Sequence, residues 1–264
     1  MPNWVYHQPL AGIAILLMAT TVFVSLGGLF LARRFLLPHL RYHEGANDAV
    51  AGGVHAIGVF YGVTVGLIAI GVWTNYENAR DIVSRQAVTA YTLYLDVASL
   101  PDPARTQLQK LVREYVQTIV DGWPKQIAGV KFPRINTERI AEIRRTLNAM
   151  EPTTEGEKVR YNAAIEALNR LAEQRRLRID ATDTHLSGVM WSVILIGAGI
   201  TIGIAYLFRI EDVRLHGAVV ALMSAFLGLV MFMIVVNDRP FFGSSSIQAD
   251  SYETVLKSMW DGKQ

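Results

Sequence analysis

The chain contains no cysteine, and it is poor in charge. The first absence excludes disulfide bonds, thiolate metal sites and cysteine nucleophiles. Charged residues make up only 18% of the chain, whereas soluble domains average about 25%. The formal net charge of +2 leaves no strongly basic surface, because Lys and Arg are nearly matched by Asp and Glu. We therefore expect no nucleic-acid partner, and the composition is too apolar for an ordinary soluble domain.

The sequence also lacks the short motifs of common enzymes. There is no Walker motif, no HExxH, no nucleophile elbow and no glycine-rich dinucleotide turn. The carboxylates in the middle of the chain alternate with Lys and Arg, as on a solvated helix surface. We predict that the protein is not an enzyme, with no catalytic residue, no cofactor and no metal site.

What the chain does contain is four long apolar runs. A helix of roughly 20 apolar residues crosses a hydrocarbon core of about 30 Å. No Lys or Arg precedes the first run, which argues against a cleaved signal peptide. Buried core helices of a soluble protein are the alternative, and four runs with so few charges disfavour it. The runs predicted to span the membrane are Pro9–Ala32, Val54–Trp73, Val189–Phe208 and Gly217–Val236.

The segment between the second and third runs has the apolar spacing of amphipathic helices. Nothing breaks the helix between Trp73 and Glu77, so the second span is predicted to continue outward as one long helix. Thr154 and Glu157 form a capping box that begins another helix. No Pro or Gly follows Gly156 until after Ser187. We expect that helix to enter the third span unbroken, as a rod of roughly 50 residues or about 75 Å.

These patterns predict an all-α fold. The chain is expected to be a membrane protein with four transmembrane helices and a helical extramembrane domain of long rods between the second and third spans. The predicted divisions are residues 1–75 for the first two transmembrane helices, 76–187 for the extramembrane domain, 188–237 for the last two transmembrane helices and 238–264 for a C-terminal tail.

Glycines recur along the second span at Gly58, Gly62 and Gly66, four residues apart. Small residues on one face let membrane helices approach closely. Two interpretations remain open. The glycines pack against another helix of the same chain, or they pack between copies of the chain around an axis.

Polar groups share this side of the second span. Asp48, His55 and Gly62 are seven residues apart and therefore lie on one helix face. Charges near membrane depth usually face protein or water, and rings of charge set ion preference in channels. In the competing interpretation, Asp48 meets solvent or caps a helix and His55 bonds a carbonyl of a neighbouring span. The candidate pore-lining residues are Asn47, Asp48, His55, Gly62 and Gly66.

Two further polar sites lie at the ends of the fourth span. His216 precedes its apolar run and is predicted to lie at the membrane interface. Pro240 ends the helix after the span, because proline cannot continue a helix. Asp238 and Arg239 are expected to meet the lipid headgroups there, since arginine readily extends its charged end toward water.

Three stretches together resemble a known family. They are residues 46–79, the helix–turn–helix of residues 93–116, and Asp238-Arg239-Pro240-Phe241 followed by Gly243. In order and spacing they are similar to the bacterial bestrophin-like domain-of-unknown-function family of membrane proteins. The last stretch resembles that family's closing signature.

The resemblance implies a homo-oligomer in which the second span lines an anion-conducting pore. It also implies a multi-pass protein of the bacterial cytoplasmic (inner) membrane, with the middle domain in the cytoplasm. The arginines of the two short loops, among them Arg33 and Arg209, favour the opposite orientation by the positive-inside rule. Bestrophins line their constriction with bulky apolar and aromatic residues, whereas glycines and Asp48 occupy this region here.

We therefore predict a homo-oligomeric ion channel or pore in the lipid bilayer, with inorganic ions as its ligands and the second span along the conduction path. The alternative is a non-conducting membrane scaffold or sensor whose helical domain binds a partner. A small-solute transporter is disfavoured, because no inverted repeat or broken helix pair is visible.

Overall fold

The structure, a computed structural model, describes residues 8–40, 45–129 and 135–261. Within those ranges every regular element is helical, which confirms the all-α prediction. The helices are α1 (Leu10–Leu31), α2 (Ala46–Ala98), α3 (Ala104–Ile127), α4 (Ile135–Asn148), α5 (Glu155–Thr182), α6 (Gly188–Ala205), α7 (Val213–Asp238) and α8 (Asp250–Asp261).

Four of these helices are long and apolar enough to cross a membrane, namely α1, α2, α6 and α7. The first continues through a π-helical turn, Ala32–Leu36, and a short 3-10 turn, Leu37–His39. Large apolar side chains on these helices, such as Phe23 and Leu222, are exposed, as contact with lipid requires. The chain is a multi-pass membrane protein.

The predicted continuity of the second span is confirmed, because α2 is a single helix of 53 residues. Contacts divide the chain into two units within this helix. Unit 1 comprises the residues up to Asn75 together with His185–Asp238. Unit 2 comprises Tyr76–Thr184 together with the residues from Arg239 onward. Helix α2 therefore contributes residues to both units.

The predicted continuity of α5 with the third span is wrong. Helix α5 ends at Thr182, and α6 begins at Gly188. The Ser187 hydroxyl accepts a hydrogen bond from Met190 N at 3.3 Å and so caps α6. The amide of Leu186 donates to the Asp238 carboxylate at 2.6 Å instead of joining a helix. The side-chain oxygens of Ser187 and Asp238 thus accept hydrogen bonds from backbone amides that would otherwise bond within a continuous helix.

In unit 1, α1 packs along α7 with very little space between the backbones. A Cβ placed on Gly228 would lie 2.8 Å from Met18 Cα and 2.6 Å from Thr21 Oγ1. The Thr21 hydroxyl donates to the Ser224 carbonyl oxygen at 2.9 Å, which bonds the two helices at the same level. Glycine allows this close crossing because it has no side chain.

Unit 2 has one continuous apolar core. The second half of α2 and helices α3, α4, α5 and α8 all contribute to it. The capping box at Thr154 and Glu157 is present at the start of α5, as predicted. Fully buried side chains from each of the five helices meet in the core, for example Leu93, Val112, Ile143, Leu168 and Tyr252.

A buried arginine lies within this core. Arg178 is only 1% exposed. Its guanidinium donates to Gln86 Oε1 at 2.8 Å and to Gln126 Oε1 at 3.2 Å, and it lies 5.5 Å from the ring centroid of Trp123. The Gln86 amide in turn donates to the Tyr115 hydroxyl at 2.6 Å. Burial raises the pKa of Tyr115, so its hydroxyl stays neutral beside the cation. These bonds join α5, α2 and α3.

Gly228→Ala should destabilise the protein, because the new methyl group would meet the α1 backbone. Overpacking of this kind costs about 1–3 kcal/mol. Gly217→Ala is the matched control on the same helix, since its Cβ would make only an ordinary contact with Leu26 at 3.9 Å. Thermal unfolding in detergent should show a lower midpoint for Gly228→Ala alone. Equal midpoints for the two variants would contradict the close crossing.

Arg178→Met should destabilise unit 2, because it leaves the carbonyl oxygens of Gln86 and Gln126 without their donor. A buried acceptor left unsatisfied costs about 1–3 kcal/mol. Arg176→Met, on the exposed side of the same helix, is the control and should change the unfolding midpoint little. The prediction fails if the two variants unfold at the same temperature.

Candidate functional site

The first half of α2 has one packed side and two exposed edges. The packed side meets α6, where the Tyr61 hydroxyl donates to the Ile194 carbonyl oxygen at 3.0 Å. Val65 and Ala69 are buried against the same helix and α7. Among the described residues, the remaining arc of this half of α2 is mostly exposed. Of the predicted pore-lining residues, Asp48, His55 and Gly62 belong to this exposed arc, Gly66 is partly buried at its margin, and Asn47 bonds the connection between α6 and α7.

Small and polar residues form one edge of the exposed arc. Asp48, His55 and Gly62 are exposed and follow one another at seven-residue spacing. Neither Asp48 nor His55 makes a side-chain hydrogen bond or ion pair with any other residue in the described part of the chain. Asp48 lies in the first turn of α2, where the positive end of the helix dipole favours a carboxylate. We call this the polar edge, made of Asp48, Gly52, His55, Gly62 and Gly66.

Bulky apolar residues form the other edge. Phe60 is 75% exposed and Leu67 is 66% exposed. They are seven residues apart, so they too share a line along the helix. This apolar edge lies about a third of a turn from the polar edge at 100° per residue. The two edges favour different surroundings. Apolar side chains favour contact with lipid or another helix, whereas the polar edge favours contact with water.

Three glycines of the second span have open space beside them among the described residues. A Cβ placed on Gly58, Gly62 or Gly66 would meet nothing within 4 Å. By contrast, a Cβ on Gly197 of α6 would lie 2.5 Å from the Tyr61 ring. The close approach of α2 and α6 therefore uses Gly197 of α6, and it also uses Gly53 of α2, whose Cβ would lie 2.7 Å from Ile204 Cδ1. Packing of Gly58, Gly62 and Gly66 between copies stays a prediction.

Asn47 is placed differently from its neighbour Asp48. Its side-chain amide donates to the Arg209 carbonyl oxygen at 3.1 Å, and its Oδ1 accepts from the Arg209 amide at 3.0 Å. This reciprocal pair bonds the start of α2 to the connection between α6 and α7. The structure thus gives Asn47 a positioning contact within unit 1.

His216, predicted to lie at the membrane interface, is buried among side chains of unit 1. The residue is 1% exposed and lies in the first turn of α7. Its ring bonds Arg33 and the Ala205 carbonyl oxygen. Nothing in the local sequence reveals this burial, because Arg33 lies 183 residues away along the chain. The π-helical turn at the end of α1 contains Arg33.

The signature residues occupy structural positions. Asp238 is buried and accepts the Leu186 amide, so its predicted contact with lipid headgroups is wrong. Phe241 is buried edge-on against Trp123, with ring centroids 6.3 Å apart. The Pro240 carbonyl oxygen accepts from the Ile247 amide at 2.8 Å. Arg239 lies 5.7 Å from the centroid of the Phe242 ring.

Gly243 closes this segment. Its φ of +84° lies in the left-handed region that glycine adopts without strain. Its amide donates to the Ile127 carbonyl oxygen at 3.2 Å, at the end of α3. The positive φ explains why a glycine occupies this position. The hydrogen bond attaches the backbone of the signature to the end of α3.

Comparison with known proteins agrees with the fold. The chain matches the family model of the Bestrophin-like domain over residues 19–252.

Solved structures resemble the chain over most of its length. A bacterial Bestrophin homolog from Klebsiella pneumoniae, solved as a point mutant, has 11% identity and a TM-score of 0.68, and the match covers 94% of this chain and 98% of that one. A second mutant of a bacterial Bestrophin homolog from that organism has 12% identity and a TM-score of 0.64, with 94% and 98% covered. A crystal structure described as a membrane protein has 10% identity and a TM-score of 0.66, with 94% and 97% covered. No curated protein sequence matches the chain.

The fold and the exposed arc of α2 define a helical multi-pass membrane protein with a long second helix. With the match covering most of its length, the chain belongs to the Bestrophin-like family. At identities this low, the solved structures support the fold alone. Among the described residues no group of three or more His, Asp or Glu side chains could hold a metal ion.

Proposed function

We propose that the protein is a homo-oligomeric ion channel of the bacterial cytoplasmic membrane, with the polar edge of α2 along the conduction path. Residues of unit 1 would lie in the bilayer, and the helical domain of unit 2 would lie outside it. The division of contacts after Asn75 and Thr184 supports this arrangement. Membership of the Bestrophin-like family supports a channel in general, because its homologues are ion channels.

The polar edge is the observation that carries the proposal. Asp48 and His55 are exposed on the mostly apolar first half of α2 and have no side-chain partner in the described part of the chain. A charged group in such a position faces protein or water rather than lipid. Copies arranged around an axis would enclose the polar edge and leave the apolar edge for helix contacts or lipid. One chain with four candidate spans leaves this edge uncovered.

The absence of cysteine allows a direct test of which edge faces water. Single variants His55→Cys and Gly62→Cys should react with a charged, membrane-impermeant thiol reagent in proteoliposomes. Leu67→Cys, on the apolar edge, should not react, because a thiol in lipid does not ionise readily. Val65→Cys, only 6% exposed in the single chain, is the buried control. Labelling would be measured by intact-protein mass spectrometry.

The labelling pattern separates the competing functions. Reaction at residue 67 without reaction at residue 62 would mean that the apolar edge, and not the polar edge, faces the water-filled path. That result would contradict the proposal. Protection of residues 55, 62 and 67 alike would favour the non-conducting scaffold or sensor, because no edge of α2 would then face water.

Asp48→Asn should alter ion preference. An acidic ring concentrates cations near the path, so removing it should lower the cation-to-anion permeability ratio several-fold. Reversal potentials in planar bilayers under a salt gradient give this ratio. Glu173→Gln, a comparable loss of charge at an exposed position of α5, should leave it unchanged. A silent wild type across salts and pH would refute conduction, and unchanged reversal potentials in Asp48→Asn would remove Asp48 from the path.

A further inference from the structure

Two neighbouring arginines at the end of α1 have different surroundings. Arg33 is partly buried, and its Nη1 lies 3.2 Å from the Ile210 carbonyl oxygen and 3.2 Å from Nδ1 of His216. Arg34 is exposed and makes no hydrogen bond or ion pair with another described residue. Arg33 therefore attaches the end of α1 to the start of α7 and to the connection before it. The charge of Arg34 is available to a partner from outside.

The length of α1 suits a position of Arg34 at the depth of the lipid headgroups. Leu10–Leu31 is 22 residues long and contains no charged residue. At 1.5 Å per residue it covers about 33 Å, close to the roughly 30 Å of a hydrocarbon core. Arg34 follows three residues after Leu31. When α1 crosses the bilayer, this guanidinium therefore meets the boundary between hydrocarbon and phosphate.

Exposed apolar side chains flank Arg34 on both sides along the chain. Leu31 is 55% exposed, Phe35 61% and Leu36 47%. The guanidinium carbon of Arg34 lies 5.7 Å from the centroid of the Phe35 ring. A cation beside exposed aromatic and aliphatic side chains fits the edge of a membrane, where apolar and polar surroundings meet. A partner that is only a dissolved anion would leave these apolar side chains uncovered.

A second exposed arginine lies at the same end of the α1–α7 pair. Arg214 is in the first turn of α7, and its side chain makes no hydrogen bond or ion pair in the described part of the chain. The residues on either side of it, Val213 and Leu215, are 59% and 55% exposed. The contact between Arg33 and His216 brings the end of α1 to the start of α7. This end of the pair therefore has two exposed guanidiniums, each beside exposed apolar side chains.

The acidic residues in the preceding connection make no ion pair with either exposed arginine. Glu211 and Asp212 lie directly before α7. The Asp212 carboxylate accepts the backbone amide of Arg214 at 2.8 Å. Neither carboxylate pairs with the guanidinium of Arg34 or Arg214 among the described residues. A phosphate diester would supply the missing negative charge, and arginine binds phosphate oxygens through two parallel hydrogen bonds.

We propose that this end of the α1–α7 pair binds anionic phospholipids, with headgroup phosphates held by Arg34 and Arg214 and acyl chains against Leu31 and Phe35. The guanidiniums select the charge of the headgroup, and the apolar side chains select a lipid over a dissolved phosphate. The inference concerns lipid binding and does not rest on ion conduction.

Native mass spectrometry of the full-length protein tests the lipid site. Protein in detergent would be titrated with phosphatidylglycerol or with phosphatidylcholine of the same acyl chains, and bound lipids would be counted. Wild type should bind phosphatidylglycerol more tightly. Arg34→Gln and Arg214→Gln should each weaken that binding about fivefold, the usual contribution of one arginine beside an anionic lipid surface. Arg34→Lys keeps the charge but loses the two parallel hydrogen bonds, so its effect should be smaller.

Arg170→Gln is the matched control. Arg170 is an exposed arginine of α5 that forms an ion pair with Glu166, so its replacement should leave lipid binding unchanged. The side chains of Arg34 and Arg214 have no hydrogen-bond or ion-pair partner in the described structure. Their variants should therefore unfold in detergent at temperatures close to that of wild type.

The competing explanations give different results. Equal binding of the two lipids by wild type would overturn the site, and so would an unchanged preference in the double variant of Arg34→Gln and Arg214→Gln. Soluble glycerol phosphate that competes as well as the lipid would replace the lipid site by a site for free phosphate. A changed oligomeric mass with unchanged lipid binding would identify a contact between copies instead and would also overturn the proposal.

Discussion

The free-energy cost of placing a charged side chain against lipid restricts which side of α2 can face the bilayer. One side of the first half of α2 is covered by α6 and α7, but Asp48 and His55 are exposed in the part of the chain that the structure describes. Hydrocarbon offers these groups neither hydrogen bonds nor ionic solvation. In the proposed channel, water or another copy would therefore cover the polar edge. The apolar edge at Phe60 and Leu67 has no such requirement, so the two edges would give α2 a preferred orientation in that assembly.

Hydropathy and helical periodicity predicted the main architecture because they depend on local sequence. The four apolar runs and the unbroken passage of α2 beyond Trp73 follow from composition and from the absence of helix breakers. The break before α6 was not predictable in this way. It depends on the Asp238 carboxylate, which accepts the Leu186 amide from 52 residues away. Periodicity within one segment contains no information about such a partner.

The candidate site shows the same difference between features set by local sequence and features set by tertiary contacts. Which residues share a face of α2 follows from seven-residue spacing alone, so Asp48, His55 and Gly62 could be grouped from the sequence. Whether that face is covered by α6 could not be decided from the sequence, because it depends on which side of α2 packs against α6. The burial of His216 likewise required the tertiary contact with Arg33. The signature around Phe241 and Gly243, in turn, proves to attach the C-terminal segment to the end of α3.

The close crossing at Gly228 has a consequence for biosynthesis. Its partners Met18 and Thr21 emerge from the ribosome first, whereas α7 is among the last segments to be made. Helix α1 must therefore remain in the bilayer without its tightest neighbour until nearly the whole polypeptide has been translated. The Thr21 hydroxyl also lies within hydrogen-bond distance of the Leu17 and Met18 carbonyl oxygens of its own helix, so its proton has an acceptor during this interval. Joining of the first and last transmembrane helices would then complete insertion of the chain.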